Sequence, residues 1–483
     1  MPQFTFPKIA LCVLLVLGLY DAVALAVWYW PGRTFDGVTS GVWAALAWDF
    51  AHGEFYRPLL DDTGYGGTRY MPVFFVIYGT LMWLFQAPTL VGALWMQTTV
   101  LLTVSAIAAL LIAQRVPTIW AIALALVTYC TTIYLQYLTD VNADYLAAAL
   151  SLWGLWIFVT RDRTHALLSP MAIFAMVLFV LAFYTKFSTV YAPAAVILSW
   201  MIQGRVKPAL GFAALGLVLL AIFGAGFYIW SDGRIAASLV TTASGGTDLG
   251  FALGAVPRFL KEIFVENPAI GVSFALALWV WLRAGPDRWH DPLAQTFLMV
   301  TAVTLGVNSS VGIAGNHVIP LHAVSLAMLG RILTGTRTDR IAATITFAAL
   351  SAIILATWTP GMPSPRASLE RGNKPTIAEI LAIDARWKPR DGRLFAVHPM
   401  HAIIAGQRPF LLDGFNLSLF IRGQHAAGLD FQRRIESRYF DLLIVVPTGQ
   451  FRPPDYVASN TGYLERYYRV VDTAGQFRIM LPK

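Results

Sequence analysis

Six charged side chains stand out because the sequence around them is so apolar. Asp36, Asp140 and Asp144 are the carboxylates, and Arg69, Lys186 and Arg258 are the cations. A carboxylate within about 3 Å of a hydroxyl can take its proton. Arginine grips a phosphate with two parallel N–H bonds, and lysine adds a compact point charge. Together the two sets suit a reaction in which a hydroxyl is deprotonated while a phosphate departs. Structural readings stand beside the chemical ones. Asp36 precedes an apolar helical stretch and fits an N-cap. Lys186 is the only charge between residues 166 and 204, and it fits a cation reaching for lipid headgroups.

The elements that must position these residues are membrane spans. Hydrophobic residues make up 57% of the 483, and charged residues only 13%, where a soluble chain carries about 25%. Apolar runs recur from residue 8 to residue 358, several reaching the roughly 18–20 residues that a bilayer requires. The expected fold class is therefore an α-helical polytopic membrane protein, not a string of soluble domains. The first run ends in Ala-Val-Ala-Leu-Ala (22–26), which resembles a signal-peptidase site. It continues to Trp30 and reads as a retained span. Cys12 and Cys130 both lie in apolar runs, which excludes a disulfide scaffold and a Cys-rich metal centre. The net charge of +8 is scattered over short loops. It points to anionic membrane lipid or a phosphate-bearing substrate, and not to nucleic acid.

Spans are drawn at about residues 9–30, 91–114, 118–137, 145–160, 170–185, 188–203, 209–230, 268–283, 294–308, 318–334 and 341–358, about eleven in all. Every second connection then carries the cations: Arg115, Arg161 with Arg163, Arg205 with Lys207, Arg283 with Arg288, Arg337 with Arg340. The positive-inside rule places these in the cytoplasm. The six chemical candidates emerge together on the opposite, exoplasmic face. That parity requires residues 70–86 not to cross, so they are read as a short interfacial or re-entrant helix opened by Pro72. Val42, Trp43, Leu46 and Phe50 fall at helical spacing and predict an amphipathic juxtamembrane helix lying on the membrane surface. Residues 1–358 thus form a transmembrane domain with a first outer loop at 31–90. Residues 359–483 turn polar and read as a small α/β exoplasmic domain, with strands at 394–397, 442–446 and 477–481 after a helix at 376–386.

The order of these features resembles a family. Asp36 follows the first span, then comes a helix rich in Ala and Trp, then Gly-Glu-Phe-Tyr (53–56), then Arg-Tyr-Met-Pro (69–72). Asp-Val-Asn-Ala-Asp-Tyr-Leu-Ala-Ala-Ala-Leu-Ser-Leu-Trp-Gly-Leu (140–155) and Tyr-Thr-Lys-Phe-Ser (184–188) lie downstream. Over roughly residues 1–330 this is similar to the GT-C glycosyltransferases that use polyprenyl-phosphate-linked sugars. The likeness is greatest to the bacterial branch of lipopolysaccharide galacturonosyl- and aminoarabinosyl-transferases and protein mannosyltransferases. The resemblance implies Asp36 as catalytic base, Asp140 or Asp144 as the second carboxylate, and Arg69 as the basic residue before the Pro-led helix. The family's Glu after the first Asp is Gly37 here, and its outer Asn-Tyr motif is replaced by Asn316-His317, a pair expected at the acceptor or sugar cavity. The implied setting is multi-pass in the bacterial inner membrane, with the C-terminal domain in the periplasm. The implied partners are a polyprenyl-phosphate-linked sugar and a glycan, lipid or protein acceptor.

No cofactor is expected, and a divalent metal enters only if the donor is a diphosphate. His317 and His322 flank Pro320 without a third ligand at metal spacing, while His398 and His401 read as surface or turn residues. Gly66-Gly67 is too short for a phosphate fingerprint, and no GxGxxG or Walker A motif is present, which disfavours ATP or a soluble nucleotide-sugar. The competing classes are a lipid or glycan flippase and a non-catalytic membrane scaffold. A flippase would place charges at mid-membrane, whereas these gather at one face.

Overall fold

Prolines and capping side chains set where the helices begin. The computed structural model describes residues 12–17, 19–20, 23, 38–130, 140–160, 169–243, 249–310, 315–334, 341, 345, 347–353, 377–388, 392–445, 461–474 and 477–483. Helices Pro72–Phe85, Pro88–Ala113, Pro170–Phe183, Pro268–Arg283 and Pro292–Val307 each open on proline, whose missing N–H costs nothing in a first turn. Ser169 and Asp291 cap two of them through their side-chain oxygens, as those residue types do.

The fold is mostly helical and that of an integral membrane protein. Among the described residues, Pro88–Ala113, Val206–Trp230 and Gly315–Thr334 are long and apolar enough to cross a bilayer. Ala255–Glu266 and Pro268–Arg283, bent by 113° at their junction, are long and apolar enough only when taken together, as a broken span or a re-entrant pair. Shorter apolar helices coincide with the expected spans at 145–160, 170–185, 188–203 and 294–308. Most of the expected spans 9–30 and 341–358 lies outside the described residues. Helix Ile319–Met328 is buried along its whole length and packs on Pro88–Ala113, Asp144–Thr160, Pro268–Arg283 and Pro292–Val307. Val206–Trp230 is the opposite case. It buries only Ala209, Phe212 and Gly216 and exposes Leu217, Ile222 and Ile229, a surface that suits lipid and would be a liability in water. Pro72–Phe85, with 14 residues and about 21 Å of rise, is another of the shorter apolar helices.

The C-terminal part is a small α/β unit. Its sheet has the order β3-β4-β6-β5, made of β3 (Leu394–Ala396), β4 (Leu442–Val445), β5 (Tyr468–Ala474) and β6 (Phe477–Pro482). β3 and β4 run parallel, so helices must carry the chain across between them. β5 and β6 form an antiparallel hairpin. Alternate side chains serve two cores, as a period of two dictates. Phe395, Leu443 and Met480 pack with Phe431, while Leu394, Leu442, Ile444 and Ile479 pack with Ile383. Sequence reading misses β5 because its edge position lets Arg469 and Val470 face outward, which hides the apolar alternation.

Two sequence expectations are corrected. Helix Val38–Ala51 does not lie on a surface with one polar face, since Val42 to Ala47 are all buried. Ser40, Gly41, Ala44, Ala45 and Ala47 are small enough for close packing on every side. Phe74, Phe75 and Tyr78 cover one side, and Met400, Ile403 and Leu412 of the C-terminal unit cover another. His398 and His401 are likewise buried, with ring centroids 5.8 Å apart. Burial, and then the neighbouring His398, hold the His401 pKa well below its usual value.

The C-terminal unit grips the segment around Arg57 through buried charge. Arg57 donates to both oxygens of Asp49, at 2.7 and 2.6 Å, and to the carbonyl of Pro409 at 2.7 Å. The side chains of Arg57 and Asp49 are 1% and 3% exposed. Arg408 pairs with Glu54, whose other oxygen lies 3.6 Å from Arg234. Removing one partner of a buried ion pair strands the other. Arg57→Met should therefore lower stability by roughly 3 kcal/mol, read as an earlier thermal melt of the purified protein. Arg57→Met combined with Asp49→Leu should regain most of the loss, and an unchanged single-variant melt would mean the pair holds nothing together.

Candidate active site

A cavity of about 300 Å³ opens where the ends of several helices meet. Its wall includes Arg69 and Tyr70, just before helix Pro72–Phe85, with Asp144, Lys186, Asn316 and His317. Each reaches it for a local reason. Asp144 opens helix Asp144–Thr160, where the helix dipole favours a negative charge. Asn142 fixes that start by accepting a bond from the Asp144 backbone N–H at 3.2 Å. Lys186 sits at the break after Pro170–Phe183, its own N–H bonded to the Ala182 carbonyl at 2.8 Å. Asn316 and His317 lie in the short 3₁₀ turn Gly315–Val318 that precedes the buried helix.

The charges are paired inside the site. Lys186 Nζ donates to Asp144 Oδ1, and Asn316 Nδ2 donates to Asp144 Oδ2 at 2.7 Å. Both carboxylate oxygens of Asp144 are thus engaged, and its side chain is 3% exposed. Trp43 and Tyr70 stack at 4.4 Å with an 11° interplanar angle, and both line the cavity. Arg69 lies over the ring of Phe415 at 4.8 Å. Positive side chains beside a half-open cavity suit an anion, and the aromatic pair supplies a flat apolar wall.

Of the sequence candidates, Arg69, Asp144, Lys186, Asn316 and His317 come together here. Asp140 is buried nearby in sequence but is not part of the cavity wall. Arg258 is not part of it either. Its guanidinium donates to the carbonyls of Phe251 and Asn308, the latter next to Val307 in the wall. His322 is buried one turn deeper in its helix and lines no part of it. Asp36 lies outside the described residues, although the helix that follows it carries Trp43 to the cavity. Among the described residues no three His, Cys, Asp or Glu side chains converge as a metal site. Trp43, Tyr70 and Ser310 escaped sequence reading, since nothing local separates them from ordinary interfacial residues.

No protein-family model matches the sequence, and no curated protein is significantly similar to it. Solved structures are similar in fold. ArnT from Cupriavidus metallidurans, bound to undecaprenyl phosphate, aligns with a TM-score of 0.60 at 10% identity, over 96% of this chain and 97% of that one. The Archaeoglobus fulgidus oligosaccharyltransferase in its apo form aligns at 0.57 and 15% identity, over 97% of this chain and 74% of that one. The archaeal oligosaccharyltransferase AglB from Archaeoglobus fulgidus, in complex with an inhibitory peptide and a dolichol-phosphate, aligns at 0.55 and 14% identity, over 97% of this chain and 74% of that one. The chain has a GT-C-like fold, shared with these structures, with a small C-terminal α/β unit.

The Asp144–Lys186 pair generates a test of the site's electrostatics. Lys186→Met leaves a buried carboxylate with Asn316 alone, which should destabilise by roughly 3 kcal/mol. Adding Asp144→Asn removes the stranded charge and should restore the melting temperature of the purified protein. Equal melts for Lys186→Met and the wild type would show that Asp144 does not need the ammonium.

Proposed function

We propose that this protein is a membrane glycosyltransferase that moves a sugar from a polyprenyl-phosphate-linked donor to an acceptor hydroxyl. The observation that carries the reading is the cavity in which Arg69 and Lys186 lie beside Asp144, Asn316 and His317 within a GT-C fold. The ArnT and AglB structures hold undecaprenyl phosphate and dolichol-phosphate, and we carry that ligand class across to this cavity. Loop charge sets the reaction on the exoplasmic face, which for a bacterial inner membrane is the periplasm, with the C-terminal unit on the same side. The acceptor is a glycan, lipid or protein of the cell envelope, such as lipopolysaccharide.

In the proposed reaction the acceptor oxygen attacks the anomeric carbon of the donor sugar. The bond from that carbon to the phosphate oxygen breaks, and its electron pair leaves with the phosphate. Arg69 and Lys186 offset the growing phosphate charge, in a site where fixed charges need no reorganisation. The acceptor proton passes to the Asp36 carboxylate as general base. Asp144 is assigned an orienting role, because both its oxygens are already committed to Lys186 and Asn316. A single displacement of this kind inverts the anomeric centre. With a monophosphate donor the cations do the work that a divalent ion does for diphosphates.

Asp36→Asn separates base from cap, since Asn caps a helix about as well as Asp. The variant should fold and bind donor normally while single-turnover transfer falls on the order of 10²–10⁴-fold. Near-normal transfer would remove Asp36 as the base.

A further inference from the structure

The segment that delivers Arg69 to the cavity is held from outside the membrane domain. Strands β1 (Leu60–Asp61) and β2 (Gly64–Tyr65) form a small hairpin. Its second strand is bonded to the C-terminal unit. The Tyr65 N–H donates to the Phe410 carbonyl at 2.8 Å, and the Leu412 N–H donates to the Tyr65 carbonyl at 3.0 Å. Gly64, at φ +152°, is pressed so close that a Cβ would collide with the Phe410 carbonyl. Three residues on, Gly67 takes φ +86°, and a Cβ there would meet Phe420 at 2.9 Å. Only glycine accepts both conditions without strain.

The next turn of the C-terminal unit continues the grip. Asp413 caps helix Gly414–Arg422, accepting from the N–H groups of Phe415 and Asn416 at 2.9 and 3.4 Å. Asn416 Nδ2 donates to Asp413 at 2.9 Å and to the Gly67 carbonyl at 3.0 Å. Phe415, at the start of the same helix, presents its ring to the Arg69 guanidinium at 4.8 Å. Burial raises the pKa of Asp413, and the charge of Arg69 is the largest influence lowering it. The cap therefore fixes the helix start, the helix start fixes Phe415 and Asn416, and these fix the backbone and head of the Arg69 segment.

We infer that the C-terminal unit completes the phosphate end of the cavity, with Phe415 and Asn416, set by the Asp413 cap, as positioning residues for Arg69. The inference rests on the reading of Arg69 as a phosphate ligand. A cation held over an aromatic face has fewer orientations to lose when it meets an anion. Its consequence is that phosphate affinity depends on residues that need not touch the phosphate.

The test is binding of undecaprenyl phosphate to the purified full-length protein in detergent, with the uncharged polyprenol as control. Arg69→Ala should weaken phosphate-lipid binding roughly 10–100-fold. Phe415→Leu and Asn416→Ala should each weaken it about 3–10-fold, while Phe415→Tyr, which keeps an aromatic face, retains wild-type affinity. Arg69→Ala combined with Phe415→Leu should bind no more weakly than Arg69→Ala alone, because both act through one guanidinium. Polyprenol binding should be the same in every variant. Normal binding by Phe415→Leu and Asn416→Ala, with loss in Arg69→Ala, would overturn the inference and leave the phosphate reading standing. Additive losses, or equal losses for polyprenol, would overturn it as general damage to the fold. Wild-type binding by Arg69→Ala would overturn the phosphate reading and the inference with it.

Discussion

Arg57 is a charged side chain 2% exposed to solvent, and the contact between helix Val38–Ala51 and the C-terminal unit is arranged around satisfying it. A guanidinium out of water is tolerable only when its donors are all used. Here two go to Asp49, on the same helix as Trp43, and one crosses to Pro409 of the C-terminal unit. That one residue therefore ties helix Val38–Ala51 to the unit that covers it. The helix has no polar face to leave in water, so it is stable only when covered. Loop, helix and C-terminal unit thus pack together.

The same logic extends into the cavity. Charges at a membrane face cannot be solvated on all sides, and each one described there has a partner of complementary kind. Lys186 meets Asp144, Asp144 also meets Asn316, and Arg69 meets the face of Phe415. Such pairing holds side chains in place before a substrate arrives, which is the condition under which fixed charge favours a developing phosphate anion. It also explains why Arg258, satisfied by two backbone carbonyls, stands apart from the group that sequence order had joined it to.

Much of this was legible in the sequence because the signals are local. Apolar run length gave most of the helices, and Arg69, Asp144 and Lys186 stood out as charges in apolar surroundings. The resemblance in motif order anticipated the GT-C fold. What escaped was non-local or hidden by context. Asn416 and Gly67 are 349 residues apart, and no periodicity links them. Asp49 and Arg57 read as ordinary loop charges until the C-terminal unit removes the water from them. The helix around Trp43 looked amphipathic because alanine counts as neutral on a surface but as close packing in a core.

The central claim is transfer from a lipid-linked donor, and the most direct measurement is the fate of that donor. Purified protein in detergent is mixed with a polyprenyl-phosphate-linked sugar, with and without a cell-envelope extract as acceptor. The account predicts release of free polyprenyl phosphate that depends on acceptor, with the sugar recovered on an envelope component. An intact donor under all conditions, together with movement of the lipid-linked sugar across proteoliposome membranes, would contradict it and make the protein a flippase.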